Sequence, residues 1–287
     1  MPVAVVTDTT HYMPRELIAD AGIHEVSLYV NDGGTLTRES DLRDYDAFYE
    51  RLLTQSVLPT TSQPSIGDFL EVYDPLLESG HDIVSVHLGA GISGTCEAAR
   101  QAAAEVRARG GQRRVEVVNS RSACAGQGLI VLAAAAAARG GADVHQVVER
   151  ADAAIGSTRI WFALDTLEYL RRGGRIGSAQ AWVGGALKIK PILTFDDGIT
   201  PIERVRTEKR AFERMVDYMR DRQTDGATAW VVQHTQAPEV AERLVERGRE
   251  IFQSEPLACS EIGPVIGTHA GPGLIGVGGI DPALLRP

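Results

Sequence analysis

Hydrophobic positions in the first half of the chain fall into two alternating rhythms. Residues 3–6 form a short, unbroken, β-branched run, as in a parallel strand buried on both faces. Residues 26–30, 82–88 and 115–119 read as further strands. Helical spacing fills the intervals at 14–21, 45–53, 67–79, 95–109, 123–139 and 144–155. Pro14 suits the first turn of its helix, and Phe69, Leu70, Tyr73 and Leu76 share one face of theirs. Residues 58–65, LPTTSQPS, read as a hydroxyl-rich loop. This alternation predicts an α/β layered domain with a mainly parallel sheet.

Near residues 155–160 the rhythm changes. A strand at 160–164 leads into DTLEYLRRGGRI, and runs at 190–195 and 199–206 flank Asp196-Asp197-Gly198, a hairpin signal. Helices are predicted at 210–222 and 238–253, and strands at 229–234, 260–266 and 273–277, the last two around THAGPG. The second half is therefore mixed α/β with antiparallel pairing. The reading is a two-domain α/β protein divided as 1–157 and 158–287, without internal repeats.

Composition narrows the class. The chain has 287 residues, 44% hydrophobic and 23% charged, which fits a soluble globular protein. Only 6% are aromatic, so Val, Ile, Leu and Ala must build most of the core. A net charge of -9 argues against nucleic-acid binding, which rewards clustered Lys and Arg. The most apolar segment, LIVLAAAAAA at 129–138, is about half a bilayer span and reads as a buried helix. The N-terminus shows no secretory leader, so a cytoplasmic location is expected. Cys96, Cys124 and Cys259 lie far apart, with no metal-ligand spacing, and read as buried or idle thiols.

The stretch SVHLGAGISGTCEAA carries Gly89, Gly91 and Gly94 in the order G-x-G-x-x-G, between a predicted strand and a predicted helix. A dinucleotide site also needs an acid at the end of the next strand, and that strand ends in Asn119 and Ser120. A hydrolase elbow needs a glycine where Thr95 stands, and a base for Ser93 from among His87, His234 and His269. A third reading fits better. The turn lies at the carboxyl edge of a parallel sheet, where ligands bind. Amides at a helix start, with the Ser93 and Thr95 hydroxyls, suit one small anionic group. Taken alone, Ser93 serves equally well as a helix cap.

A second hydroxyl cluster favours the ligand site. Ser65 reads as the cap of the following helix, which leaves Thr60, Thr61, Ser62 and Gln63 unexplained. The two loops can converge on one sheet edge. A third segment, THAGPG, brings His269 between glycines, where a tight turn with a solvated histidine is the alternative.

These segments together resemble the DegV family. The matching stretches are DTT at 8–10, TTSQPS at 60–65, GISGT at 91–95, DTLEYLRRGGRI at 165–176, KPIL at 190–193 and GPVIGTHAGPG at 263–273. They appear in the expected order over nearly the whole chain. One departure is Tyr12-Met13-Pro14, where the family usually has Asp-Leu-Pro.

The resemblance implies a carrier of one long-chain fatty acid, enclosed between two α/β domains. A separate ATP-binding fatty acid kinase subunit would convert the carboxylate to an acyl phosphate for phospholipid synthesis. It implies that Thr61 and Ser93, with adjacent Gly94 and with His269 nearby, hold the carboxylate. Arg171 and Arg204 stand where the mouth and the kinase contact are expected. No cofactor and no metal are implied.

The chemistry agrees. Burying a sixteen-carbon tail yields on the order of 10 kcal/mol before ordering costs. A few hydroxyl and amide donors suffice for the anion, and tight pairing with a cation would make it a poorer nucleophile toward ATP. Neither a phosphate loop nor a magnesium-binding acid cluster is evident, as expected of a carrier that depends on a partner enzyme. Asp8 alone reads as a turn cap. Gly184, Gly185 and Ala186 offer room for a tail, though ordinary packing also explains them. The basic turn Arg171-Arg172-Gly173-Gly174-Arg175 is a helix C-terminus by its glycines. It equally suits an acidic partner or transient contact with an anionic membrane. The competing activity is a serine esterase or thioesterase using Ser93.

Overall fold

The computed structural model describes residues 1–110, 114–183, 189–196 and 198–287. The first half runs β1 (Val3–Asp8), α1 (Arg15–Asp20), β2 (Ile23–Val26), β3 (Tyr29–Asp32), β4 (Thr35–Arg38), α2 (Asp46–Thr54), β5 (Thr60–Ser62), α3 (Ile66–Glu78), β6 (Asp82–His87), α4 (Thr95–Ala108), β7 (Val115–Asn119), α5 (Cys124–Arg139) and α6 (Val144–Ser157). The second half runs β8 (Arg159–Ala163), α7 (Glu168–Arg172), β9 (Lys190–Phe195), β10 (Ile199–Val205), α8 (Glu208–Thr224), β11 (Ala229–His234), α9 (Pro238–Phe252), β12 (Ala258–Glu261), α10 (Pro264–Ala270) and β13 (Ile275–Ile280).

Among the described residues, strands β2-β1-β6-β7 form a wholly parallel sheet. Its central strands β1 and β6 are almost wholly buried, as in a parallel sheet covered on both faces, while edge strand β2 exposes His24 and Glu25. The second sheet has the order β10-β9-β8-β13-β11-β12 and is antiparallel except where β11 meets β12. A small antiparallel sheet, β4-β3-β5, completes the set. The mixed α/β architecture is the one that the periodicity predicts. Helix α5 joins the two large sheets. It touches β1 and β6 on one side and β8, β11 and β13 on the other. Every residue from Cys124 to Ala137 is buried, so a helix apolar all round is what this position demands. Its alanines let both sheets close in.

Four local expectations are corrected. The strand expected at 26–30 is two strands, β2 and β3, separated by Ser27 and Leu28. Strand β4 is mostly exposed and carries no apolar run, so the pattern of hydrophobic positions does not predict it. Residues 60–62 are not loop but strand β5, because their polar side chains sit on a small sheet whose backbone pairing, not burial, holds them. The strand expected at 260–266 ends at Glu261, and Pro264 opens helix α10 instead. Asp197 of the hairpin signal, and Gly184, Gly185 and Ala186, lie outside the described residues, although β9 and β10 do pair antiparallel.

Candidate functional site

A cavity of about 370 Å³ lies where the carboxyl ends of the parallel strands face the second sheet. That is within the range of small-molecule sites. Its walls are apolar: Leu28, Leu88 and Ile92 from the first half, and Ile160, Phe162, Phe195, Ile199, Val231 and Val277 from the second. Phe162 and Phe195 stack at 5.0 Å between centroids. Thr61, Ser93, Gly94 and His269 all line this one cavity, although 208 residues separate Thr61 from His269.

Each polar group is placed by its element. Thr61 lies on β5, in register with Val30 of β3, so its hydroxyl has a fixed direction. His269 occupies the last turn of α10, and its Nε2 lies 2.8 Å from Thr61 Oγ1. The other ring nitrogen, Nδ1, is buried without a hydrogen-bond partner. A proton there would be a stranded N–H, so the bonding assigns the proton to Nε2, which donates to Thr61. The Thr61 hydroxyl is then free to donate to an anion. Burial, and secondarily Arg175, push the imidazole pKa down to about 4, so the ring is neutral at pH 7.

Glycines set this geometry. Gly173 follows α7, and a Cβ there would collide with His269 Nδ1. Gly263, Gly267 and Gly271 recur every four residues along α10 and its ends. They admit the rings of Tyr12 and Tyr45, of Tyr49, and of Tyr169, respectively. Gly271 also needs its glycine for φ +73. A Cβ at Gly94 would strike the Gln63 amide, so these two loops interlock.

Ser93 is both cap and lining. Its hydroxyl accepts the Thr95 N–H at 3.2 Å and lies 2.9 Å from Thr95 Oγ1, while Gly94 at the N-cap offers no side chain. No Ser–His pair is assembled at Ser93. His269 bonds Thr61, His234 accepts the Ala237 N–H, and His87 is bonded to Ser85 and Asp8. The dinucleotide alternative also loses its space, since Gly89 packs against Arg121 and Ser122 and Gln63 fills the room beside Gly94. Ser65 forms the expected cap, within a capping box with Asp68.

Neither Arg171 nor Arg204 lines the cavity. Arg171 pairs with Glu168 at 2.7 Å, and the Arg204 guanidinium lies over the Trp182 ring at 5.3 Å. Among the described residues, the arginine that lines the cavity is Arg175, which donates to the carbonyls of Ile92 and Gly173. Gln233 also lines it and went unnoticed in the sequence. It accepts the Ala125 N–H at 2.6 Å and donates to the carbonyls of His11 and Tyr12, bridging the two sheets. Nothing in a strand-interior Gln signals this.

A second histidine cluster lies outside the cavity. Asp8 accepts from Thr10 and from the Leu88 N–H, and lies 3.0 Å from His87 Nδ1. His87 Nε2 lies 2.7 Å from Ser85 Oγ, which accepts from the Tyr73 hydroxyl at 2.8 Å. All four side chains are fully buried. Burial works to raise the Asp8 pKa, but the bonds from His87 and Thr10 outweigh it and lower it. Asp8 also caps the turn after β1, as expected. Among the described residues no three His, Cys, Asp or Glu groups are placed to hold a metal ion, and no helix is long and apolar enough to cross a membrane.

Comparison with known proteins gives a consistent picture. The model of the DegV family, described as uncharacterised protein, matches residues 2–281. A DegV domain-containing protein of Streptomyces coelicolor is 40% identical over 278 residues, covering 96% of this chain and 97% of its own. Protein DegV of Bacillus subtilis is 35% identical over 280 residues, covering 96% and 98%. Among solved structures, a fatty-acid-binding DegV family protein from Thermus thermophilus superposes with TM-score 0.88 at 31% identity, covering 98% of this chain and 99% of its own. The B. subtilis fatty acid binding protein DegV gives TM-score 0.86 at 34% identity, with 98% and 99% covered.

Proposed function

The chain belongs to the DegV family, and from that premise we propose that its cavity holds one long-chain fatty acid. The carboxylate is received by Thr61, Ser93, the Gly94 turn and His269, and the tail lies among Phe162, Phe195, Ile199 and Val277. The observation that carries this reading is an apolar chamber that also presents the Thr61 hydroxyl, held by neutral His269 and left free to donate. Apolar walls supply most of the affinity. Neutral donors hold the anion without quenching its nucleophilicity.

The finer reading is a carrier, placed in the cytoplasm, that offers the carboxylate to an ATP-binding kinase subunit forming an acyl phosphate. Residues 1–157 and 158–287 are its two domains, with the acyl group between them. Arg171, Arg204 and the basic turn at 171–175 form the docking edge, with Arg172 and Arg175 also suited to an anionic membrane. In support, Arg171 is exposed beside the helix end. The test is native against denaturing mass spectrometry of the purified protein, with extraction of released lipid. One stoichiometric long-chain fatty acid is expected, with weaker retention in Thr61→Ala and Ser93→Ala. An empty protein that takes up no added palmitate, or unchanged retention in both variants, overturns the assignment.

A further inference from the structure

A carboxylate outside the cavity anchors the first turn of the helix that carries His269. Glu39 is 2% exposed. Its Oε1 accepts the Tyr12 hydroxyl at 2.7 Å and the Val265 N–H at 2.8 Å, and its Oε2 accepts the Thr9 hydroxyl at 2.7 Å. The Tyr12 oxygen in turn accepts the Ile266 N–H at 3.1 Å. Two first-turn amides of α10 thus end on Glu39 and Tyr12, while Gly263 at its N-cap offers no side chain. A helix of this length has little stability of its own, so its anchors decide where it lies.

We propose that Glu39 is a positioning residue for the carboxylate site, acting through Tyr12 and the first turn of α10 on His269, and that protonation of Glu39 loosens the site. The proposal rests on the fatty-acid reading above. Tyr12 bonds Glu39 directly, and Asp8, Tyr45, Tyr49 and Cys124 are close enough to couple to it electrostatically; none of these is a cation. Burial pushes the Glu39 carboxyl up to about 7, against the opposing bonds from Thr9, Tyr12 and Val265. Its charge therefore changes near neutral pH. His269, held at about 4, does not titrate there. Ionised Glu39 gives the α10 amide and Tyr12 charge-assisted bonds, and the protonated acid gives weaker neutral ones.

The test measures palmitate affinity of delipidated protein from pH 6 to pH 8 in wild type and Glu39→Gln. Wild-type affinity is expected to rise about threefold to tenfold with a midpoint near 7, the effect of one bond losing charge assistance. Glu39→Gln stays at the low-pH level, and its curve also removes the contribution of palmitate's own ionisation. Its thermal midpoint at pH 8 holds or rises, because a buried charge is gone; a merely structural Glu39 would lose midpoint and affinity together. Should Glu39→Gln fail to fold, Tyr12→Phe removes the oxygen that receives Ile266 and lowers affinity at every pH. A wild-type affinity that does not change with pH, an unchanged slope in Glu39→Gln, or unchanged affinity in Tyr12→Phe overturns the role of Glu39. A wild type that binds no palmitate at any pH overturns the fatty-acid reading instead.

Discussion

His87 and His269 each meet a hydroxyl side chain through Nε2, at 2.7 Å to Ser85 and 2.8 Å to Thr61. Beyond that bond they differ. His87 completes a Ser–His–Asp chain with Asp8, and Tyr73 closes the far end. Every member is sealed from solvent and satisfied. His269 gives its Nε2 proton to Thr61, whose own hydroxyl is left free to donate, and both side chains line a cavity. The arrangement that most resembles hydrolytic machinery is thus internal bracing, since no substrate can reach it. The incomplete one is the candidate site. Spare bonding capacity next to open space, rather than a familiar constellation, distinguishes the two regions.

The largest expected effect tests the sealed region. Asp8→Ala removes the acceptor for His87, Thr10 and the Leu88 amide at once. Breaking one side of such a buried network is expected to destabilise the fold by about 3–5 kcal/mol. Palmitate bound per folded molecule should be unchanged. Urea denaturation gives the first quantity and lipid stoichiometry the second. A fully stable variant that has lost its lipid would reverse the roles assigned to the two histidines.

The next effect concerns pH. An unfolded histidine titrates near 6.5, whereas His269 in the fold is held at about 4. Between those values the unfolded chain binds the extra proton, so stability from His269 is complete above 6.5 and is lost as pH falls toward 4. Across that window the loss amounts to about 3 kcal/mol. Glu39 acts with the opposite sign: its folded pKa of about 7 lies above its ordinary 4.5, so its contribution declines as pH rises through that interval. The informative quantity is therefore the difference between lipid-free wild type and His269→Gln. The wild type should lose about 2–3 kcal/mol relative to the variant between pH 7 and pH 4. A constant difference would mean that His269 is not buried in the way described.

Much of this was legible in the chain. Apolar runs such as VAVVTD and the all-round apolar α5 could be placed because burial writes itself as hydrophobicity. Thr61, Ser93 and His269 could be named from hydroxyl clusters and from resemblance. What could not be read depends on approach in space. β5 looked like a loop because its residues are polar and backbone pairing leaves no mark on side-chain type. The helix around His269 looked like a strand and a turn because Gly263, Gly267 and Gly271 obscure its periodicity, and the reason for those glycines is the tyrosine packed on each. Glu39, in an exposed-looking acidic stretch, gave no sign that it is buried under α10.

The smallest effect isolates the open region from the fold. Gly173 has φ -76, so alanine is acceptable to its backbone and the only new feature is a methyl group. That methyl would collide with His269 Nδ1, and it would also crowd the Tyr169 carbonyl. The ring must shift off Gly173, which disturbs the 2.8 Å contact to Thr61. Such overpacking is expected to cost about 1 kcal/mol, seen as roughly fivefold weaker palmitate retention with little change in the unfolding midpoint. Gly156 in α6 is the matched control, because a Cβ there meets nothing within 4 Å. Gly156→Ala should hold its lipid and gain slightly in stability. Equal retention in the two variants would show that the position of the His269 ring does not govern binding, and the contrast between the two histidines would then lie in burial alone.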